Sequence, residues 1–229
     1  MKEATLDRLN AKLQAIHFAS PVTHVYNPLE YARASYLDYW RRYGQGRKRV
    51  VLLGMNPGPW GMAQTGVPFG EVGMVRDWLG IEGEIHSPSP IHPARPIEGW
   101  ACARSEVSGR RLWGFVRERY PDPQDFFQHA YVANYCPLIF LEESGRNRTP
   151  DKLPKAEREP MLAACNEALL ELVEDLRPEL VVGVGKWAEQ QALALGLPAV
   201  SIPHPSPANP GANSGWGREL GDLLDKLGV

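Results

Sequence analysis

Two amides and one imidazole stand where predicted strands end, and such side chains are suited to binding a polar ligand. Asn56 comes shortly after an apolar run, Asn134 closes a second run, and His204 follows a third. An amide both donates and accepts hydrogen bonds, and an imidazole can donate to developing negative charge. In an open parallel sheet, ligands bind beyond the carboxyl ends of the strands. We therefore expect Asn56, Asn134 and His204 to converge on one cleft.

Strand-like and helix-like segments alternate along the chain. The alternation predicts an α/β fold with three layers, α/β/α, around a central four-stranded parallel sheet. We expect residues 1–229 to form a single domain. The predicted strands are Val50–Leu53, Ala130–Asn134, Leu180–Val184 and Ala199–Ile202. Apolar residues at helical spacing predict helices from Leu6 to Ile16, after Asn27, and over Glu71–Leu79, Ser108–Arg119, Pro154–Leu176, Lys186–Leu195 and Ser214–Leu227.

Composition and charge exclude several classes of protein. The 229 residues carry 25 Lys and Arg against 27 Asp and Glu, a net charge of -2, so any contact with nucleic acid must come from a local basic face. The three cysteines lie far apart, which argues against a disulfide framework and indicates a reducing compartment. No apolar run approaches a membrane span, and the first residues are charged where a signal peptide is apolar. We expect a protein of the cytoplasm, or of the nucleus in a eukaryote, that makes no contact with membranes.

Two further patterns have simpler explanations than a ligand site. The segment Gly183–Lys186 resembles part of a phosphate-binding loop, but it lacks the first glycine and the final Ser or Thr of that motif. His86, His92 and Cys102 are near one another in sequence, but prolines crowd both histidines and no acidic cluster accompanies them. We expect neither a nucleotide nor a metal at these places.

Two loops rich in glycine and proline follow predicted strands. Residues 54–70 contain five glycines and three prolines together with two amides and two aromatic side chains. Residues 204–216 form a second loop of this kind, which begins at His204. Glycine lets a ligand approach the backbone closely, and proline reduces the entropy lost when a loop adopts one shape. The two loops therefore predict a rigid site for a flat ligand.

These two loops resemble the first and second motifs of the single-strand-selective monofunctional uracil-DNA glycosylases, within the uracil-DNA glycosylase superfamily. The resemblance also covers Glu71–Ile81, Ser105–Gly109 and Asn134–Leu138. It implies a uracil-DNA glycosylase-like fold and an enzyme that needs no cofactor and no metal. Such an enzyme flips uracil out of DNA, and some 5-substituted uracils such as 5-hydroxymethyluracil. It hydrolyses the N-glycosidic bond without cutting the strand, which initiates base excision repair.

The resemblance implies two catalytic residues. Asn56 stands at the position that holds the attacking water, where some related families carry an aspartate. His204 resembles the histidine that donates a hydrogen bond to O2 of the departing base. A neutral amide is a poor general base, so we expect catalysis to depend on placing the water and stabilising the leaving group.

The resemblance also implies a binding site for the base. Phe69 stands where the family stacks an aromatic ring on the base, and Asn134 where an amide faces O4 and N3–H. Gly58 stands where a larger side chain would block groups at C5, and Met55 lines the floor of the pocket through its backbone. Because uracil and cytosine present opposite donor and acceptor patterns, a fixed amide at Asn134 would reject cytosine.

The resemblance implies that the loop after His204 enters the DNA and fills the gap left by the flipped nucleotide. The chain carries Ala208 where the family often has an arginine. Contacts to the DNA backbone would come from the basic run at residues 41–49 or from Arg110 and Arg111, with a solvated surface as the alternative for each. The implied substrate is single- and double-stranded DNA that contains uracil, bound by a monomer. The predicted DNA-binding residues are Pro205, Ser206, Pro207, Ala208, Asn209 and Pro210.

Two other functions stay open at the level of sequence. One is a glycosylase with specificity shifted toward deaminated purines such as xanthine and hypoxanthine. The other is a binder of damaged DNA without catalytic activity, which the retention of Asn56, Asn134 and His204 disfavours.

Overall fold

The order of the strands in the central sheet differs from their order along the chain. The computed structural model describes residues 1–209, 212 and 216–229. The strands are β1 Val22–Tyr26, β2 Val50–Gly54, β3 Ala130–Asn134, β4 Ile139–Glu142, β5 Asn147–Arg148, β6 Leu180–Val184 and β7 Ala199–Ile202. The parallel sheet has the order β3-β2-β6-β7, and β1, β4 and β5 form a separate antiparallel sheet in the order β1-β4-β5.

Helices cover the parallel sheet. In α7 an apolar stripe that includes Met161, Cys165, Leu169 and Leu172 is buried, which is typical of a helix packed on a core. Within the described part of the chain, none of the helices combines the length and apolar character needed to cross a bilayer. The helices are α1 Glu3–Gln14, α2 Pro28–Tyr31, α3 Arg33–Tyr43, α4 Met62–Thr65, α5 Val107–Arg119, α6 Pro123–Phe127, α7 Lys155–Leu176, α8 Lys186–Ala194 and α9 Gly217–Lys226.

The centre of the sheet is buried on both faces. All five residues of β2 are buried, and β2 pairs in parallel with β3 on one side and with β6 on the other. A strand buried on both faces reads as a continuous apolar run, which is why Val50–Leu53 is recognisable without an alternating pattern. The prediction of an α/β fold around a four-stranded parallel sheet is confirmed.

Several local elements differ from the prediction. The antiparallel sheet was not predicted, because its strands are short and only the ends of β1 are buried. The helix expected after Asn27 is divided at Ala32 into α2 and α3. The helix expected over Glu71–Leu79 contains a π-helical turn at Met74–Trp78. The helix expected over Ser214–Leu227 is α9, which begins at Gly217, and the predicted start at Ser214 lies outside the described residues.

Candidate active site

The carboxyl ends of the parallel strands open onto a cleft of about 390 Å³. Asn134 ends β3, while the loops after β2 and β7 supply most of the other predicted residues. The two amides and the imidazole therefore share one cleft, as the order of the strand ends predicts. The predicted site residues that line it are Met55, Asn56, Gly58, Phe69, Asn134, His204 and Ser206.

Asn56 is held by a chain segment that follows β3. The pairing of β2 with β3 continues beyond the sheet, because Met55 accepts a hydrogen bond from the Cys136 N–H at 2.9 Å. Asn56 Nδ2 then donates to the carbonyl oxygen of Leu138 at 3.2 Å. This contact fixes the donor end of the Asn56 amide at the edge of the cleft, which Asn56 lines.

Asn134 presents a buried acceptor that lacks a partner. Its Nδ2 lies 3.2 Å from the Met62 sulfur, whereas Oδ1 has no hydrogen-bond partner among the described residues. A buried acceptor left unpaired costs about 1–3 kcal/mol, which a ligand donor would recover. Asn134 pairs in register with Gly54, and a Cβ on Gly54 would come within 2.3 Å of Asn134 Oδ1. Only glycine at position 54 leaves room for the amide.

Phe69 adopts a backbone conformation that is unusual for its residue type. Its φ of 55° lies in the left-handed region, which costs a bulky residue roughly 1–3 kcal/mol and is common at functional sites. The surrounding structure fixes this conformation, because the Trp113 indole donates to Pro68 at 3.3 Å and a Cβ on Gly109 would come within 2.0 Å of the Phe69 oxygen. The centre of the Phe69 ring lies 6.2 Å from that of His204. The two rings thus form neighbouring walls of the cleft.

The tautomer of His204 is set by its own loop. The backbone N–H of Ser206 donates to Nδ1 at 3.1 Å, and Asn209 Nδ2 donates to the His204 carbonyl oxygen at 3.1 Å. Because Nδ1 accepts, a neutral ring carries its proton on Nε2. Burial lowers the pKa of His204 below its ordinary value, so the neutral form predominates at neutral pH. His204 is therefore a neutral hydrogen-bond donor.

Comparison with known proteins agrees with this geometry. The sequence profile of the uracil DNA glycosylase superfamily matches residues 41–219. The single-strand selective monofunctional uracil-DNA glycosylase of Rattus norvegicus is 52% identical, over 97% of this chain and 82% of the rat protein. Its namesakes in Mus musculus and Bos taurus are 51% and 50% identical, over 97% of this chain and 82% and 84% of theirs. The chain belongs to this family.

A solved structure supports the fold. The crystal structure of wild-type SMUG2 from Pedobacter heparinus superposes with a TM-score of 0.67 and covers 98% of both chains. Its sequence identity to this chain is 15%, so the match concerns the fold alone.

One acidic residue of this glycosylase cleft was not predicted. Glu106 lines the cleft, and burial raises the pKa of its carboxyl group while the N–H groups of Trp60 and Ser108 oppose that rise. A Cβ on Gly58 would come within 2.5 Å of Glu106 Oε2. The space left by Gly58 is therefore occupied by this carboxyl group. Glu106 lies within Ser105–Gly109, a segment that resembles the family but whose residues were assigned no role from the sequence.

Asn147 on β5 supports the loop that carries Asn56. Its Nδ2 donates to the Pro57 carbonyl oxygen at 3.1 Å, while its Oδ1 is buried without a hydrogen-bond partner among the described residues. Asn147 also lines the cleft. It was missed because β5 has only two residues and no periodic pattern.

The loop predicted to enter DNA is partly anchored and partly exposed. Pro205 is buried and its carbonyl oxygen accepts a hydrogen bond from Arg111 at 2.9 Å. Pro207 and Ala208 are exposed, and Asn209 is half-buried. The predicted contact at Pro210 lies outside the described residues.

The last two residues of the basic run at residues 41–49 lie away from the cleft. Lys48 and Arg49 precede β2, so they lie at the opposite end of the sheet from the cleft. Lys48 is buried and donates to the Phe127 carbonyl oxygen, and burial lowers its pKa to about 8. Arg49 pairs with Glu179 at 3.4 Å. The positions of Lys48 and Arg49 do not favour a contact with the DNA backbone, whereas such a contact by Arg41, Arg42 and Arg47 stays a prediction.

Proposed function

We propose that the cleft at the carboxyl ends of the sheet is where this uracil-DNA glycosylase excises uracil from DNA in base excision repair. The observation that carries the proposal is the convergence of Asn56, Asn134 and His204 around one cleft in a chain of this family. The reaction is hydrolysis of the bond between the base and the sugar, without cleavage of the strand.

The base reaches the cleft by leaving the stack, at a cost of a few kcal/mol that is smallest for a mismatch or a single strand. Phe69 stacks on its face, which contributes roughly 1–3 kcal/mol. Asn134 Oδ1 accepts the N3–H of uracil, and Nδ2 turns from the Met62 sulfur to donate to O4. Cytosine would set an acceptor against Oδ1, and the loss of that pairing disfavours it. Asn134 thus reads the edge of the base.

His204 stabilises the departing base. As the glycosidic bond breaks, negative charge develops on the ring, chiefly at N1 and O2. A neutral imidazole with its proton on Nε2 donates to O2, and a donor placed in this way is worth about 3–4 kcal/mol by comparison with an oxyanion hole. The Ser206 N–H keeps the ring in that tautomer.

Asn56 positions the nucleophile. Its Oδ1 accepts a hydrogen bond from the water that attacks the anomeric carbon, since Nδ2 is used by Leu138. The amide does not take the proton of the attacking water at neutral pH. As the bond to the anomeric carbon forms, that proton passes to solvent, and the released uracil anion takes up a proton from solvent in turn. Placement of the water therefore contributes more than proton removal by Asn56.

The wall near C5 of the base sets which pyrimidines fit. Gly58 leaves room that the Glu106 carboxyl group occupies, and the end of a glutamate side chain can move when a larger base binds. An ionised carboxylate accepts hydrogen bonds, so it suits the hydroxyl group of 5-hydroxymethyluracil. The exposed side chains of Pro207 and Ala208 enter the gap in the strand, and the enzyme acts as a monomer on single- and double-stranded DNA.

The test is a panel of strands that each carry one uracil, 5-hydroxymethyluracil, thymine, xanthine or hypoxanthine. Incubation with the protein followed by alkali reveals abasic sites as strand breaks. We expect breaks at uracil and 5-hydroxymethyluracil. Breaks only at the two purines would show a glycosylase of shifted specificity, and breaks in none of the strands, with binding retained, would show a binder.

A further inference from the structure

Two arginine side chains lie over one tryptophan ring near the cleft. The guanidinium carbon of Arg104 is 4.2 Å from the centre of the Trp60 ring, and that of Arg95 is 5.4 Å from it. We call these three residues the Trp60 platform. Trp60 and Arg95 are half-buried and Arg104 is exposed. A cation–π contact orients a guanidinium group without neutralising it, so the platform presents two oriented positive charges.

The buried side chain of Gln64 fixes two of the three segments that form the Trp60 platform, those of Trp60 and Arg95. Its Nε2 donates to the carbonyl oxygens of Pro59 and Pro96, both at 3.0 Å. These residues adjoin Trp60 and Arg95, so one amide ties both segments together. The backbone next to Trp60 and the backbone next to Arg95 are therefore both fixed by a buried side chain.

The Trp60 platform stands on the rim of the cleft. Trp60 follows Gly58 by two residues, Arg104 precedes Glu106 by two, and both Gly58 and Glu106 line the cleft. The segment that carries Trp60 is in close contact with the segment that carries Arg104, because a Cβ on Gly61 would come within 2.9 Å of Glu106 Cγ. The Trp60 platform is therefore within reach of a strand whose base occupies the cleft.

The two guanidinium groups lack acidic partners. Among the described residues no ion pair involves Arg95 or Arg104, whereas Arg42 pairs with Asp38 at 2.9 Å. Arg95 donates through Nη1 to the Ala94 carbonyl oxygen, and its buried Nε has no hydrogen-bond partner in the described part of the chain. Two positive charges held close together repel each other, and a bound anion would relieve that repulsion. The planar fork of a guanidinium group matches the oxygens of a phosphate.

We propose that the Trp60 platform binds a backbone phosphate of the DNA strand that carries the flipped nucleotide. The proposal rests on the proposed function, because the phosphate belongs to the same substrate. Trp60 orients the guanidinium groups, and Arg104 makes the direct contact because it is the exposed member. The platform thereby holds the strand while the base occupies the cleft.

The test measures binding of a single-stranded oligonucleotide that carries a tetrahydrofuran abasic analogue, by fluorescence anisotropy between about 50 and 200 mM salt. Arg104→Gln should weaken binding about tenfold at low salt and reduce the slope of log affinity against log salt by about 0.7, the value for one phosphate contact on a single strand. Trp60→Leu keeps both charges, so it should weaken binding two- to fivefold and leave the slope almost unchanged.

The matched control is Arg117→Gln. Arg117 is exposed on α5, about 13 Å along the helix axis from Ser108, which lines the cleft. Equal affinity and equal salt slope for Arg104→Gln and Arg117→Gln would overturn the proposal. Binding to the analogue requires no excision, so a wild-type protein that binds through Arg104 but excises nothing would refute the proposed function and leave this proposal standing. Normal excision with an unchanged slope in Arg104→Gln would refute this proposal alone.

Discussion

Gly54 and Asn134 lie side by side at the ends of β2 and β3, and the space for the Asn134 amide exists only because Gly54 has no side chain. A Cβ on Gly54 would come within 2.3 Å of Asn134 Oδ1 and within 2.7 Å of the Phe69 ring. One backbone position therefore controls two of the groups that we propose to contact the base. The site is built on the strand end itself, which is more rigid than a loop.

We expect Gly54→Ala to lower the excision of uracil at least tenfold, because the added methyl group displaces Asn134 and Phe69. Crowding of this kind also costs about 1–3 kcal/mol of stability. Single-turnover excision and thermal unfolding measure the two effects. The control is Gly114→Ala in α5, where a Cβ would meet only the Met74 methyl carbon at 4.0 Å. Normal excision by Gly54→Ala would show that the amide and the ring are not needed in these positions.

We expect His204→Ala to lower the single-turnover rate by about 10²–10³, the loss seen when one oxyanion donor is removed. Affinity for DNA with an abasic analogue should change little, because the rest of the interface is intact. If affinity fell as much as the rate, His204 would be a residue that shapes the loop and not one that stabilises the leaving group.

The pH dependence of the wild-type enzyme follows from the lowered pKa of His204. Because burial lowers the pKa of His204 below the ordinary histidine value of about 6.5, the imidazole is neutral at neutral pH and protonates only at a pH lower than that value. Protonation would break the hydrogen bond from the Ser206 N–H to Nδ1, so the rate should fall only as the solution is acidified below 6.5. Stability should fall over the same range, since the unfolded chain binds the proton more tightly there. A rate that falls with a midpoint above 6.5, and does so only when His204 is present, would contradict this assignment.

We expect Asn56→Ala to reduce the excision rate at least tenfold while the affinity for the abasic analogue stays near that of the wild type. The loss reflects a water that is no longer positioned, together with a Leu138 carbonyl that has lost its donor. Asn147→Ala should have a smaller effect in the same direction, because it acts on Asn56 through Pro57. An unchanged rate in Asn56→Ala would remove this residue from the mechanism.

Gly58 and Glu106 should show strong coupling in a double-mutant cycle. Gly58→Ala places a methyl group within 2.5 Å of Glu106 Oε2 and should lower kcat/KM for 5-hydroxymethyluracil about tenfold. In the Glu106→Ala background the same change should cost much less, because the colliding atoms are absent. Residues in contact usually couple by about 0.5–3 kcal/mol. Effects that simply add would show that the two residues act on different parts of the substrate.

Much of the fold could be predicted because its signals are local. The strands β2, β3 and β6 are short apolar runs bounded by glycine, proline or polar residues, and a strand buried on both faces needs no partner to be recognised in sequence. The edge strand β7 is mainly apolar but only its last residue is buried. The meeting of Asn56, Asn134 and His204 followed from a general property of parallel sheets, namely that ligands bind at their carboxyl ends. Family resemblance supplied the proposed role of each residue.

The features that escaped prediction depend on contacts between distant segments. Strand β4 is identified by its pairing with β1, more than a hundred residues earlier in the chain, and β5 only by its pairing with β4. Lys48 sits in a basic run that looks exposed in sequence, yet it is buried against Phe127. Such contacts leave no periodic pattern in the sequence.

The sequence by itself determined the class of fold, the glycine- and proline-rich composition of two loops and the types of side chain that meet at the strand ends. Tertiary structure decided how those side chains are oriented. The donor on Asn56 is used by Leu138, the acceptor on His204 is used by Ser206, and the space above Gly58 is taken by Glu106. The reason is physical: residue type and spacing fix local conformation, but a hydrogen bond or a steric contact exists only once distant segments are packed together.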